Sequence, residues 1–141
     1  MATFEQVKKL VESTYGRIWA DWYTGYTDQT KARLDFRLGE FPGGYIHSRN
    51  AILCSIGAGN LDDSDVLQPE EWPIWKVELV HEMLHEYQYK VVKAPSHLAR
   101  QFAEKFGHRF QGKGHDESFF TAICEKAPYF GMSPEELAAH L

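Results

Sequence analysis

The sequence predicts a single α+β domain over residues 1–141, in which helices surround one small antiparallel three-stranded sheet. Three observations carry this prediction. An N-terminal stretch has the apolar spacing of a helix, three short β-rich segments follow between residues 32 and 56, and four further helical patterns complete the chain. With 141 residues, 43% of them hydrophobic, the chain is long enough to bury a core without disulfides.

The first element is a helix that begins after Thr3. Thr3 and Gln6 have the spacing of a capping box, in which each side chain accepts a backbone N–H of the first turn. Apolar residues then recur at helical spacing to about Tyr23, although Gly16 interrupts the pattern. This pattern is typical of a structural helix that packs on a sheet.

Three β-rich segments follow a turn. Residues 32–38 alternate polar and apolar side chains, residues 45–48 form a short second segment, and Ala51–Ile56 is almost continuously apolar. A glycine-rich loop joins the first two segments and Asn50 offers a turn before the third, which predicts an antiparallel meander. His47 alternates within the second strand, where a structural or surface role is expected.

Residues 57–69 are predicted to form a loop because they are rich in Gly, Asn, Asp and Ser. The acids Asp62, Asp63 and Asp65 resemble part of a calcium-binding loop. They lack the central glycine and the terminal glutamate of an EF-hand, so we expect a solvated loop and no calcium site.

The longest helical pattern runs for about five turns, from the vicinity of Pro73 to Val92. Pro73 suits a first turn, and Glu70 and Glu71 suit the positive end of the helix dipole. Apolar residues lie on more than one face, which predicts a helix buried between other elements. Pro95 is expected to stop it.

Three further helical patterns follow. Ser96 caps the first, which Gly107 ends. His115-Asp116-Glu117 opens the second after a glycine-rich connector, and Pro128 ends it. Ser133-Pro134-Glu135-Glu136 combines a capping box with proline at the first helical position, which predicts a short final helix.

The long central helix contains His-Glu-x-x-His at residues 81–85. Residues four apart lie on one helix face, so His81 and His85 can bind one metal ion, and zinc is the ion that this motif favours. Glu82 follows the first ligand, where a carboxylate can deprotonate a metal-bound water. The apolar neighbours make full solvent exposure of the motif unfavourable: Leu79, Val80, Met83 and Leu84.

A catalytic zinc ion usually has three protein ligands, so a third must come from elsewhere in the chain. No histidine stands at the metzincin spacing after the motif, which excludes that class. Glu104 lies near the spacing of a thermolysin-type glutamate ligand, and His115 stands behind the glycine-rich connector at a helix start. His97 and His108 are expected to be surface histidines. The residues alone leave Glu104 and His115 as alternatives.

Three segments of the chain resemble the SprT-like zinc metallopeptidases, the group that includes the Spartan-type proteases. The order is helix, small sheet, then a helix with His81-Glu82-Met83-Leu84-His85 and an aromatic residue. Gly43-Gly44-Tyr45 before an apolar strand is similar to a second family segment. Gly114-His115-Asp116-Glu117-Ser118-Phe119 resembles the Gly-His-Gly-x-x-Phe signature, with Asp116 in place of a glycine. The resemblance covers about residues 3–126.

The resemblance implies a zincin-like fold and peptide hydrolysis. It implies that one zinc ion is held by His81, His85 and His115 and that Glu82 is the general base. A protein or peptide substrate is the expected partner. Nucleic acid is a further partner within the family, but a net charge of −5 does not favour it. Two alternatives remain open: an inactive zinc-binding interaction module, and a thermolysin-type site with Glu104 as third ligand.

Several supporting roles are also predicted. Asp116 or Glu78 is expected to accept the outer N–H of a ligand histidine. A peptide substrate is expected to add as a strand along the edge of Ala51–Ile56. Three tyrosines are candidate donors to the oxyanion of the reaction, although each also suits a core or rim position: Tyr87, Tyr89 and Tyr129.

Cysteine content and hydropathy indicate the compartment. Cys54 and Cys124 are far apart and lack metal-binding spacing, so we expect two buried free thiols in a reducing environment. The N-terminal residues do not form a signal peptide, and no apolar run has the length of a membrane span. A cytoplasmic protein without a membrane partner is expected.

Overall fold

A computed structural model of the protein describes residues 3–38, 43–56, 72–94, 96–106 and 114–141. In these ranges the chain is a mixture of helices and one three-stranded sheet, so the predicted α+β class is confirmed. The main elements are α1 (Phe4–Trp22), β1 (Arg33–Leu38), β2 (Gly44–Ile46), β3 (Ala51–Ile56), α2 (Ile74–Lys90), α3 (His97–Phe106), α4 (Glu117–Lys126) and α5 (Pro134–His140).

The chain forms two compact units, Met1–Met83 and Leu84–Leu141, and the boundary between them lies within α2. The first unit holds α1, the sheet and the first part of α2. The second holds the last part of α2 and the helices α3, α4 and α5. The prediction of one domain stays a prediction.

Helix α1 begins as the sequence predicts. The hydroxyl of Thr3 accepts the N–H of Gln6, and the Gln6 side chain accepts the N–H of Thr3 at 2.8 Å. Farther along, the Tyr15 hydroxyl accepts the N–H of Ala32 at 2.7 Å, which ties α1 to the residue before β1. The helix buries one face: Val7, Val11, Thr14, Tyr15, Ile18 and Trp22.

The sheet is mixed, and the prediction of an antiparallel meander is wrong. The strand order is β1-β3-β2. Strands β1 and β3 are parallel and pair along six residues each, whereas β2 pairs antiparallel with β3 along three. The prediction assumed that strands adjacent in sequence also pair. Because β2 is so short, β1 forms a longer hydrogen-bonded ladder with β3 than it could form with β2.

Strand β3 is therefore central, which corrects the prediction that Ala51–Ile56 offers a free edge to substrate. Residues 51–53 pair on both sides, and the edge strands of the described sheet are β1 and β2. The second strand is also shorter than predicted, because His47 starts a 3-10 helix, His47–Arg49. Asn50 ends that helix with a left-handed backbone (φ 47°), so the predicted turn is confirmed.

Helix α2 begins directly after Pro73, whose carbonyl accepts the N–H groups of Lys76 and Val77. It ends at Lys90, so residues 91 and 92 lie beyond the helix. Its buried residues occupy more than one face, as predicted: Trp75, Leu79, Val80, Met83, Leu84 and Tyr87.

The last three helices begin where the sequence predicts, and each has a side-chain cap. Ser96 accepts the N–H of Ala99, and Asp116 accepts the N–H groups of Ser118 and Phe119. Ser133 begins α5 with the predicted capping box. A second 3-10 helix, Ala127–Phe130, contains Pro128 and follows α4. The buried residues of this unit include Phe119, Phe120, Ala122, Ile123 and Leu137.

Several predictions fall outside the described residues. These are the loop at residues 57–69 with its acids Asp62, Asp63 and Asp65, the preceding Glu70 and Glu71, and the positions of Pro95, Gly107 and His108.

Cys54 and Cys124 are free thiols, as predicted, and both are half-buried. Burial, with the nearby carboxylates of Glu82 and Glu78, raises the pKa of the Cys54 thiol to about 12. Among the described residues, no helix combines the length and the apolar character that crossing a membrane requires.

Candidate metal centre

Three histidines come together at the candidate metal centre. His81 and His85 lie one turn apart on α2, and His115 lies two residues before α4. One ligand nitrogen of each ring lies within 4.8 Å of the others. These three imidazoles are therefore close enough to bind one metal ion.

Glu104, the alternative third ligand, does not belong to this group. Among the described residues, the metal-ligating group that contains His81 and His85 is completed by His115. Glu104 is an exposed residue of α3, and His97 at the start of that helix is also exposed. The geometry therefore favours His115 over Glu104.

The nitrogens of His85 and His115 have the spacing of two ligands of one ion. Their Nε2 atoms lie 3.2 Å apart, and the two rings are tilted by 58°. A tetrahedral zinc ion with Zn–N bonds of about 2.0–2.1 Å holds neighbouring nitrogens roughly 3.3 Å apart. The separation of the pair thus matches that of two ligands of a tetrahedral ion.

The outer nitrogen of His85 is hydrogen-bonded to Gln88. Nδ1 of His85 lies 2.8 Å from Oε1 of Gln88. An amide oxygen only accepts, so the proton must be on Nδ1, which leaves the lone pair on Nε2 for a metal. The prediction that Asp116 or Glu78 fills this role is wrong for His85. Sequence reasoning missed Gln88, although its i, i+3 spacing from His85 is a signal that could have found it.

Phe119 and Gly114 fix the two rings of this pair. The Phe119 ring stacks on His85 at 4.4 Å and meets His115 edge-on at 4.9 Å. Gly114 has φ +91°, and a Cβ at this position would lie 3.3 Å from Cε1 of His85. Glycine is thus required here both by the backbone and by the close approach of the ring.

Asp116 places His115 by starting α4 directly after it. Burial opposes ionisation of Asp116, but hydrogen bonds from Ser118, from the Phe119 N–H and from Gln88 outweigh it and hold the pKa of this carboxyl below its usual value. The ionised side chain is therefore a strong cap for the helix N-terminus.

Burial keeps His85 neutral. It lowers the pKa of the imidazole to about 4, although the hydrogen bond to Gln88 acts in the opposite direction; His115 lowers it further. At neutral pH His85 is consequently in the unprotonated form that binds metals.

Glu82 follows His81 on α2, and its side chain is only 8% exposed. Burial, and then the neighbouring Glu78 carboxylate, raises the pKa of Glu82 to about 7. A Cβ on Gly43 would lie 3.3 Å from Oε2 of Glu82 and 3.2 Å from the Leu53 carbonyl oxygen. The absence of a side chain at residue 43 therefore leaves room for the carboxylate.

The three candidate tyrosines differ in position. The Tyr89 hydroxyl lies near Gly114: a Cβ built at Gly114 would be 3.5 Å from this hydroxyl and 3.3 Å from Cε1 of His85. Tyr87 is buried, with the Lys126 ammonium 4.2 Å from the centre of its ring. Tyr129 is 41% exposed and packs edge-on against Phe130. Of the three, Tyr89 is best placed for a role at the metal centre.

Comparisons of this chain with protein-family models, with curated proteins and with solved structures find no match. The resemblance to SprT-like metallopeptidases therefore remains a prediction from the sequence. The chemistry of the three histidines and of Glu82 is therefore the basis on which a function can be proposed.

We expect the His115→Ala variant to lose tight zinc binding and the Glu104→Ala variant to keep it. Removing a ligand should weaken binding by more than the roughly 10–100-fold that loss of an outer partner costs. The measurement is a competition titration of zinc against a chromophoric chelator. Circular dichroism of both variants controls for folding, and the opposite order of affinities would contradict the assignment of His115.

Proposed function

We propose that the protein is a zinc-dependent metallopeptidase of the SprT-like kind. In this proposal His81, His85 and His115 hold the ion, and Glu82 is the general base. Two observations carry it: three imidazoles converge, and a buried carboxylate follows the first of them in the chain.

The donor set supports zinc as the ion. Three imidazole nitrogens match a common ligand set of catalytic zinc, which leaves a fourth position open for water or substrate. When bound, zinc would supply Lewis acidity that polarises a carbonyl group and makes water more acidic. Structural zinc sites usually have four protein ligands and no adjacent base, so this set favours catalysis.

Glu82 would move the protons of the reaction. Its carboxylate would take a proton from the attacking water and pass it to the leaving amine. Glu82 lies outside the ligand group, as a base must, and the close approach of Gly43 limits where its carboxylate can stand.

The substrate would be a protein or peptide in an extended conformation. Within the described sheet β2 is an edge strand, and Gly43, which precedes it, abuts the Glu82 carboxylate. A peptide that adds to β2 would gain main-chain hydrogen bonds close to the base. We propose β2 for this role because β3 is paired with both of its neighbours.

The Glu82→Gln variant should bind zinc as the wild type does and lose hydrolysis by about 10²–10⁴-fold, the usual contribution of a general base. Fluorescein-labelled casein is the substrate, assayed with and without a chelator, and zinc content is measured in the same samples. Glu125→Gln, at an exposed position of α4, is the matched control.

Retained turnover in Glu82→Gln would contradict the assigned base. Zinc-loaded wild-type protein that cleaves neither casein nor an unfolded protein would favour an interaction module instead of a peptidase.

A second pair of variants tests the packing of the Glu82 carboxylate. Gly43→Ala would place a methyl group 3.3 Å from Oε2 of Glu82, whereas the nearest neighbour of a methyl group in Gly16→Ala, within α1, is Nζ of Lys31 at 3.7 Å. We expect Gly43→Ala to lower the rate of casein hydrolysis several-fold with unchanged zinc affinity, and Gly16→Ala to change neither. Equal rates for the two variants would show that the position of the carboxylate does not limit the reaction.

A further inference from the structure

We propose that Gln88 is a positioning residue that prepares His85 and His115 for the metal. It holds the proton on Nδ1 of His85 and ties the segment Gly114–Ser118, which carries His115, to α2. This inference rests on the proposed zinc site, because it explains how two of its ligands are oriented.

The acceptor half of the Gln88 amide acts on His85. Oε1 is 2.8 Å from Nδ1, so His85 is held in the tautomer whose Nε2 carries a lone pair. That Nε2 faces Nε2 of His115 at 3.2 Å. Without metal, the Nε2–H of His115 can donate to this lone pair. For the same atom to bind a metal, the His115 proton would have to move to Nδ1, after which both Nε2 atoms would carry a lone pair.

The donor half of the amide acts on the segment that carries His115. Nε2 of Gln88 lies 3.0 Å from the Gly114 carbonyl oxygen, 3.0 Å from Oδ1 of Asp116 and 2.7 Å from Oγ of Ser118. These acceptors flank His115 on both sides. Gln88 therefore sets the positions of two rings: His85, three residues before it on α2, and His115, on the distant segment.

Burial makes these hydrogen bonds hard to replace. Gln88 is only 4% exposed. If its amide were removed, water would therefore have little access to the polar groups that now bond to it. An amide also suits the place better than a carboxylate, because its N–H₂ group lies within hydrogen-bonding distance of two acceptors, the Gly114 carbonyl oxygen and Oδ1 of Asp116.

The first test uses metal-free wild-type protein and needs no variant. Long-range ¹H–¹⁵N NMR at pH 7.5 reports which nitrogen of each histidine carries the proton. We expect His85 in the Nδ1–H form and His115 in the Nε2–H form. An Nε2–H form of His85 would overturn the proposal.

The second test compares Gln88→Met, Gln88→Glu and Gln101→Met. Gln88→Met removes both the acceptor and the donor of the amide while keeping a side chain of similar size. His85 should then shift toward the Nε2–H form, and zinc should bind roughly 10–100-fold more weakly. Gln88→Glu keeps the acceptor and should restore the Nδ1–H form. Gln101→Met, at an exposed position of α3, is the control and should match the wild type in both measurements.

The outcomes separate this inference from the proposed function. If the wild type binds zinc and Gln88→Met has the wild-type tautomer and affinity, the positioning role is overturned while the metal site stands. If Gln88→Met loses its circular dichroism signal, the His85 tautomers of the wild type and of Gln88→Glu test the proposal instead. The Nδ1–H form in both supports it, and the Nε2–H form in the wild type overturns it. If the wild type binds no zinc, the proposed function fails whatever the tautomers are.

Discussion

The arrangement of the candidate metal centre depends on the hydrogen bonds of one buried amide. Gln88 accepts from His85 and donates to the residues on either side of His115, so a helix residue and a distant segment share one anchor. Phe119 adds packing from the same segment, since its ring contacts both imidazoles. Polar contacts fix the direction of the nitrogens, and aromatic contacts fix the planes of the rings.

The elements that the sequence predicted well are those set by neighbouring residues. The capping boxes at Thr3 and Ser133 lie where predicted, because each depends on residues three apart in the chain. The sheet order was mispredicted, because pairing of β1 with β3 is a contact between distant segments that no local pattern encodes. The edges available to a substrate were misassigned for the same reason.

The candidate site also has residues that local spacing predicts and residues that depend on distant contacts. His81 and His85 follow from spacing on one helix, whereas the residues alone left His115 and Glu104 open, and only the resemblance favoured His115. The contact of Gln88 with His85 could have been predicted from their i, i+3 spacing, but its contacts with the segment around His115 could not, because those acceptors lie 26 to 30 residues away. Burial then gives the site its chemistry: it keeps His85 neutral and places Glu82 away from solvent.

In the proposed site, three imidazoles would bind one zinc ion and leave one coordination position open. X-ray absorption at the zinc K-edge of the zinc-loaded protein tests it most directly. We predict three nitrogen neighbours at about 2.0–2.1 Å with the outer-shell scattering of imidazole rings, and one further light atom. A sulfur neighbour near 2.3 Å, or scattering from fewer than three imidazoles, would contradict the account.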